Sequence, residues 1–228
     1  MMRKLTAILA FLMILCGVCG CAQQESTPSA APAVTPAPVT TAAPAQTGEG
    51  TDEPAQPAEG ETGVTVLTEP IGVLPAFITS AGQSADIEMI KVMFMNNNMT
   101  YADKAIATMD DLAGYSTLVV AIGGSSKGLG AAGIDADQEL ERVKALLTEA
   151  KDAGMTIIAM HIGGTARRGQ LGDRYIEPVL SFADYAIVVE AGNEDGKFSD
   201  YCSANGIPLD IVAAMTDVAP VLAVAFEQ

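Results

Sequence analysis

Lys127, Arg167, Arg168 and Arg174 are four of the ten Lys and Arg in residues 64–228, a stretch that also carries twenty-two Asp and Glu. They fall in two short segments, residues 123–135 and 161–174. A guanidinium is a planar fork that matches phosphate or carboxylate, and cations gathered in an acidic body concentrate anions. GGSSKGLGAAGID, residues 123–135, places Gly124, Ser125, Ser126 and Gly128 around Lys127. Glycines before a helix let backbone N–H groups approach an anion. HIGGTARRG, residues 161–169, joins His161, Gly163 and Gly164 to Arg167 and Arg168. Ser80, Gln83 and Ser84 in TSAGQSA, residues 79–85, add hydroxyl and amide donors. Together these residues predict a site for a small ligand bearing phosphate or carboxylate. At least one of Arg167 and Arg174 is expected to pair internally with Asp173 or Glu177.

The same residues admit a catalytic reading. His161 is the chain's one histidine and could act as general acid or base, with Lys127 and the glycine N–H groups stabilising developing charge. Ser125 or Ser126 would then be a nucleophile activated by Lys127. Cys202, in SDYCSANG, has no basic neighbour and reads as a small buried hydrophobe. One histidine, one distant cysteine and scattered carboxylates predict no metal site. Met89, Met93, Met95 and Met99 read as fillers of core gaps. The acidic balance opposes binding to nucleic acid.

Positioning these loops requires a frame. Apolar runs of strand length recur at residues 76–79, 117–122, 156–161, 185–189 and 209–214. Between them lie segments of helical period. Residues 136–153 place Leu140, Val143, Leu147 and Ala150 on one face, with Asp135 as N-cap, Gln138 closing a capping box and Gly154 as the stop. Ile87, Ile90 and Phe94 suggest an earlier helix, ended by Asn96 to Asn98. Continuous apolar strands alternating with amphipathic helices predict an α/β three-layer sandwich with a mostly parallel sheet of five to six strands. Its ligands would sit at the carboxyl ends of the strands.

Residues 101–124, YADKAIATMDDLAGYSTLVVAIGG, resemble the second strand, acidic D-L-x-x-Y turn and third strand of flavodoxin-like proteins. The resemblance implies strand order 2-1-3-4-5, extended by a strand at residues 209–214. Flavodoxins carry a T-x-T-G-x-T phosphate loop after the first strand. Thr79, Gly82 and Ser84 match it and Ala81 departs from it. FMN is therefore the alternative ligand, although no aromatic residue is placed to stack on its ring, and no cofactor is predicted. The spacing of Gly124, Gly128 and Gly130 also resembles the short-chain dehydrogenase fingerprint. Here, however, it follows the third strand, and no Tyr-x-x-x-Lys pair comes after it.

The amino-terminal sequence supplies an address. Arg3 and Lys4 precede an apolar run at residues 5–18, shorter than the roughly 20 residues that span a bilayer. Val18-Cys19-Gly20-Cys21 resembles the lipobox of bacterial lipoproteins, which implies lipidation at Cys21. Residues 1–20 read as signal peptide, 21–63 as lipidated cysteine and Ala/Pro/Thr-rich tether, and 64–228 as one domain. The expected location is the cell membrane, lipid-anchored on the extracytoplasmic side. GGSSKGLGAAGID followed by HIGG-x-x-RRG resembles an uncharacterised family of bacterial lipoprotein and secreted α/β domains. Two functions compete: capture of an anionic ligand, with a transporter or sensor as partner, and an extracytoplasmic enzyme using His161 and Lys127.

Overall fold

The computed structural model describes residues 66–226. The expected signal peptide, Cys21 and the expected tether lie outside the described residues. Six strands run in the order β1 (Ala76–Ala81), β2 (Tyr101–Asp103), β3 (Thr117–Ile122), β4 (Thr156–His161), β5 (Tyr185–Val189) and β6 (Leu209–Val212). Seven α-helices are described: α1 (Asp86–Asn96), α2 (Ser126–Ala132), α3 (Ala136–Asp152), α4 (Gln170–Asp173), α5 (Ile176–Leu180), α6 (Lys197–Asn205) and α7 (Val218–Ala225). The strands form one parallel sheet, β2-β1-β3-β4-β5-β6. That is the flavodoxin-like order with one further strand, and the chain reverses direction across the sheet between β1 and β3.

Period-two alternation decides which side chain meets which layer. Ile78, Val119, Ile158, Met160 and Ile187 pack with Ile90 and Phe94 of α1 and Leu222 of α7. Phe77, Leu118, Val120, Ile157 and Val188 pack with Val143 and Leu147 of α3, Val179 of α5 and Phe198 of α6. Both faces are covered, which is why β1, β3 and β5 are buried from end to end. Cys202 is fully buried within the second of these layers, as its neighbours predicted. Among the described residues no helix is long and apolar enough to cross a membrane.

Local chemistry sets the helix ends. Asp135 accepts from the N–H groups of Asp137 and Gln138, and the Gln138 side chain accepts from the Asp135 N–H, so the capping box of α3 forms as expected. The GGSSKGLGAAGID stretch is not one long loop. Ser125 accepts from the Gly128 N–H at 3.0 Å and opens α2, and Gly133 closes it in the left-handed region at φ 69°. A serine cap and a glycine stop eight residues apart are enough to nucleate a short helix against the sheet.

The methionines divide. Met93 and Met99 are buried, but Met89 and Met95 are 42% and 55% exposed, so the outer pair does not fill core gaps.

Candidate functional site

The three segments of interest meet at the carboxyl end of the sheet. Gln83 forms an antiparallel bridge with Gly124, and the Ser125 N–H donates to the Gly82 carbonyl at 2.8 Å. A Cβ at Gly128 would overlap the Gln83 carbonyl oxygen, and one at Gly124 would lie 2.7–2.8 Å from Leu171 and Gly172. These glycines are therefore present for loop-on-loop packing.

The β1 loop is occupied from within. Glu139, on α3 and fully buried, accepts from the Gly82 N–H at 3.0 Å and the Gln83 amide at 2.9 Å. Arg142 neutralises it from Nε at 2.7 Å and also donates to the carbonyls of Ala107 and Ser80. A carboxylate thus takes two of the donors that a phosphate would use in that loop. Glu139 was missed in the sequence. Its signal is an acidic residue in phase with Val143, Leu146 and Ala150 on the buried stripe, with Arg142 three residues on.

Beside this loop Ser80 and Ser84 are both buried. Ser80 Oγ has no hydrogen-bond partner, while Ser84 Oγ lies 3.4 Å from the Asp86 N–H. Asp86 begins α1 and is 5% exposed. Its Oδ1 accepts from Arg167 Nε at 3.0 Å, while Oδ2 is buried without a partner. That orphaned oxygen is flanked by Gly123 and Gly163, where an added Cβ would lie 3.0 and 2.5 Å from it. Asp86, Gly123, Gly163 and Arg167 therefore converge where β1, β3 and β4 end.

The cations behave differently from one another. Arg168 makes a two-sided pair with Asp173 and Asp195, donates to the Gly192 carbonyl, and lies 5.7 Å over the Phe198 ring. Its hydrogen bonds to Asp195 and Asp173 raise its pKa, and it holds both carboxyls below the usual range. Arg174 pairs with Asp137. The expected internal pairing is thus present with other partners: Arg167 takes Asp86 and Arg174 takes Asp137, while Asp173 goes to Arg168. Asp86 and Asp137 are distant in sequence from the arginines, and only the fold brings them together. Ser126 and Lys127 are exposed on the first turn of α2. Lys127 has no ion pair or side-chain hydrogen bond among the described residues.

His161 is 1% exposed and lies on the α6 side of β4, with its ring 4.9 Å from that of Phe198. Nδ1 sits 3.0 Å from the Ile122 carbonyl and Nε2 3.3 Å from that of Gly164. Burial, the largest influence, lowers its pKa below the ordinary 6.5. No hydrogen bond joins it to Lys127. In this position it braces the end of β3 against the Gly164 turn. Among the described residues no group of three His, Cys, Asp or Glu could hold a metal ion.

A parallel α/β sheet of flavodoxin-like order, with its loops clasped at the carboxyl end, defines the class of protein. The chain belongs to the family described as a domain of unknown function, DUF6305, which matches residues 74–226. The comparison with curated proteins finds no match. Among solved structures the chain is similar to a GDSL-like lipase from Bacteroides thetaiotaomicron, at 13% identity over 64% of this chain and 72% of that one, with a TM-score of 0.29. It is also similar to a psychrotrophic esterase from Pseudoalteromonas sp., at 12% identity over 62% and 78%, with a TM-score of 0.27.

Proposed function

We propose that this chain is a membrane-anchored extracytoplasmic lipoprotein whose α/β domain binds a small ligand bearing phosphate or carboxylate. The observation that carries the reading is the Arg167–Asp86 pair. Arg167 spends only Nε on Asp86, and its two outer nitrogens make no hydrogen bond among the described residues. An outer guanidinium edge left open at the end of a parallel sheet is the geometry that takes a carboxylate or phosphate. Lys127, exposed and unpaired, supplies a second charge from the neighbouring segment. Arg168 and Arg174 are spent on carboxylates and stand outside this ligand set. The orphaned Oδ2 of Asp86 adds a requirement: a buried carboxylate oxygen calls for a donor, so the favoured ligand carries a hydroxyl or amine beside its acidic group. A transporter or sensor that receives the ligand is the partner this role implies.

The test compares succinate with malate, which differ by one hydroxyl, together with phosphate and sulfate, in thermal melts of the full chain. A ligand bound only to the native state raises stability by RT ln(1 + [L]/Kd). Malate should raise the melting temperature more than succinate, and Lys127→Ala should diminish every gain without altering the ligand-free melt. If none of the four shifts the melt at millimolar concentration, the ligand reading fails. Anchoring has its own test. Palmitate labelling should mark the native protein and be lost in Cys21→Ala; label retained on that variant would place the lipid elsewhere.

A further inference from the structure

Met89, Met93 and Met215 line one open groove of about 300 Å³ between α1 and the 3-10 turn Met215–Asp217 that leads into α7. The remaining wall, Val92, Asn96, Thr216 and Ala219, contributes no ionisable group. Met89 and Met93 are four residues apart on α1 and so project along one helix face. The Asn97 amide donates to the Ala219 carbonyl at 3.3 Å and ties α1 to the start of α7, which holds Met215 across from that face. Met93 is 7% exposed and packs in the core with Met215 against it, but hydrophobic filling does not account for Met89, which is 42% exposed at the mouth of the same groove. Three thioethers in one apolar groove are soft, uncharged donors, and such donors select Cu(I) over Mg, Ca or Mn. The chain's net charge of −16 draws cations toward it without favouring any one ion.

We propose that Met89, Met93 and Met215 form a thioether site for a soft monovalent cation, Cu(I) or its stable analogue Ag(I). The site is independent of the Arg167–Asp86 pair and uses none of its residues. Coordination by neutral sulfur releases no proton, so binding is insensitive to mild acid. Competing ligands behave otherwise. Burial pushes the Cys202 thiol up to about 11, and a histidine ligand must be deprotonated to bind.

The experiment titrates Ag(I) into the full chain in mild detergent, with carbon-13 at the methionine methyls and Cys16, Cys19, Cys21 and Cys202 each changed to Ser. One equivalent should move the methyl resonances of Met89, Met93 and Met215 and leave the other eight methionines of the chain in place. Met93→Leu conserves volume, so the fold should persist while affinity falls about tenfold or more with the loss of one soft ligand. Met89→Leu, at an exposed position, repeats the test where folding is not at stake. Affinity should be the same at about pH 5 and about pH 7. Absence of any methyl shift overturns the proposal, as do shifts that include Met95 equally or an affinity unchanged in both leucine variants.

Discussion

Arg167 donates from Nε to Oδ1 of Asp86 at 3.0 Å, yet Oδ2 of the same buried carboxylate has no partner. The pair is lopsided in burial as well, with Arg167 at 28% side-chain exposure and Asp86 at 7%. Removing the arginine strands a charge in the interior, whereas removing the aspartate frees a cation that can reach water. Arg167→Ala should therefore cost about 3 kcal/mol, and Asp86→Ala nearer about 1 kcal/mol. The double variant should be more stable than Arg167→Ala alone, a coupling that urea unfolding of all four proteins would read directly. Equal losses from the two single changes would mean that Asp86 is satisfied by other means.

Arg168 tests the opposite role. It is bound on two sides by Asp173 and Asp195, caps the Gly192 carbonyl and covers Phe198, with only 13% of its side chain exposed. Arg168→Ala should destabilise the ligand-free protein by about 2–3 kcal/mol through lost charge-assisted hydrogen bonds. Anion-induced stabilisation should survive in whatever folded protein remains. A variant with an unchanged melt and no anion response would return Arg168 to the ligand set.

These two arginines show where the sequence was legible and where it was not. Residues 117–122, 156–161 and 185–189 were readable as strands to the residue, because both faces are buried and the apolar run carries the boundary. Asp135 and Gln138 announced α3 because capping is local chemistry. Partner choice is not local. Arg167 meets Asp86, eighty-one positions away, and Gly82 meets Glu139, fifty-seven away, only because β1, β3 and β4 are adjacent. The arginines therefore read as a cation patch with one local pair, to Asp173 or Glu177, while Asp86, Asp137 and Asp195 were hidden in other elements. In α2 the glycines masked the helix, although Ser125 and Gly133 were the visible signs of it.

Gly128 and Gly130 lie two residues apart in α2 and should respond to alanine with opposite sign. A Cβ at Gly128 would overlap the Gln83 carbonyl oxygen, whereas at Gly130 it would meet nothing within 4 Å. Gly130→Ala should stabilise by up to about 1 kcal/mol, the helix-propensity gain. Gly128→Ala should cost about 1–3 kcal/mol, since backbone must move to make room, and it should also disturb the Gln83–Gly124 bridge. Melting temperatures of the two variants decide the matter. Loss of stability at Gly130 would show that α2 contacts something beyond the described residues.

His161 makes stability depend on pH near neutrality. Its folded pKa lies below the ordinary 6.5, chiefly through burial, with the nearby Arg168 charge acting in the same direction and the two carbonyls opposing it. Between the folded and unfolded values the unfolded chain binds the proton more readily, so stability rises with pH there. The contribution is complete above the unfolded value of about 6.5 and drains away as pH falls toward the folded one. Asp173 and Asp195, held below the carboxylate range by Arg168, add a second loss at lower pH, below the unfolded value of about 4. Urea unfolding between about pH 5 and 8 should accordingly show a midpoint that rises toward neutrality. His161→Asn, which keeps a donor near Nδ1 for the Ile122 carbonyl, should be less stable but flat over that range. If the variant keeps the same slope, the proton uptake belongs to another group and His161 is not the residue that sets the neutral limb.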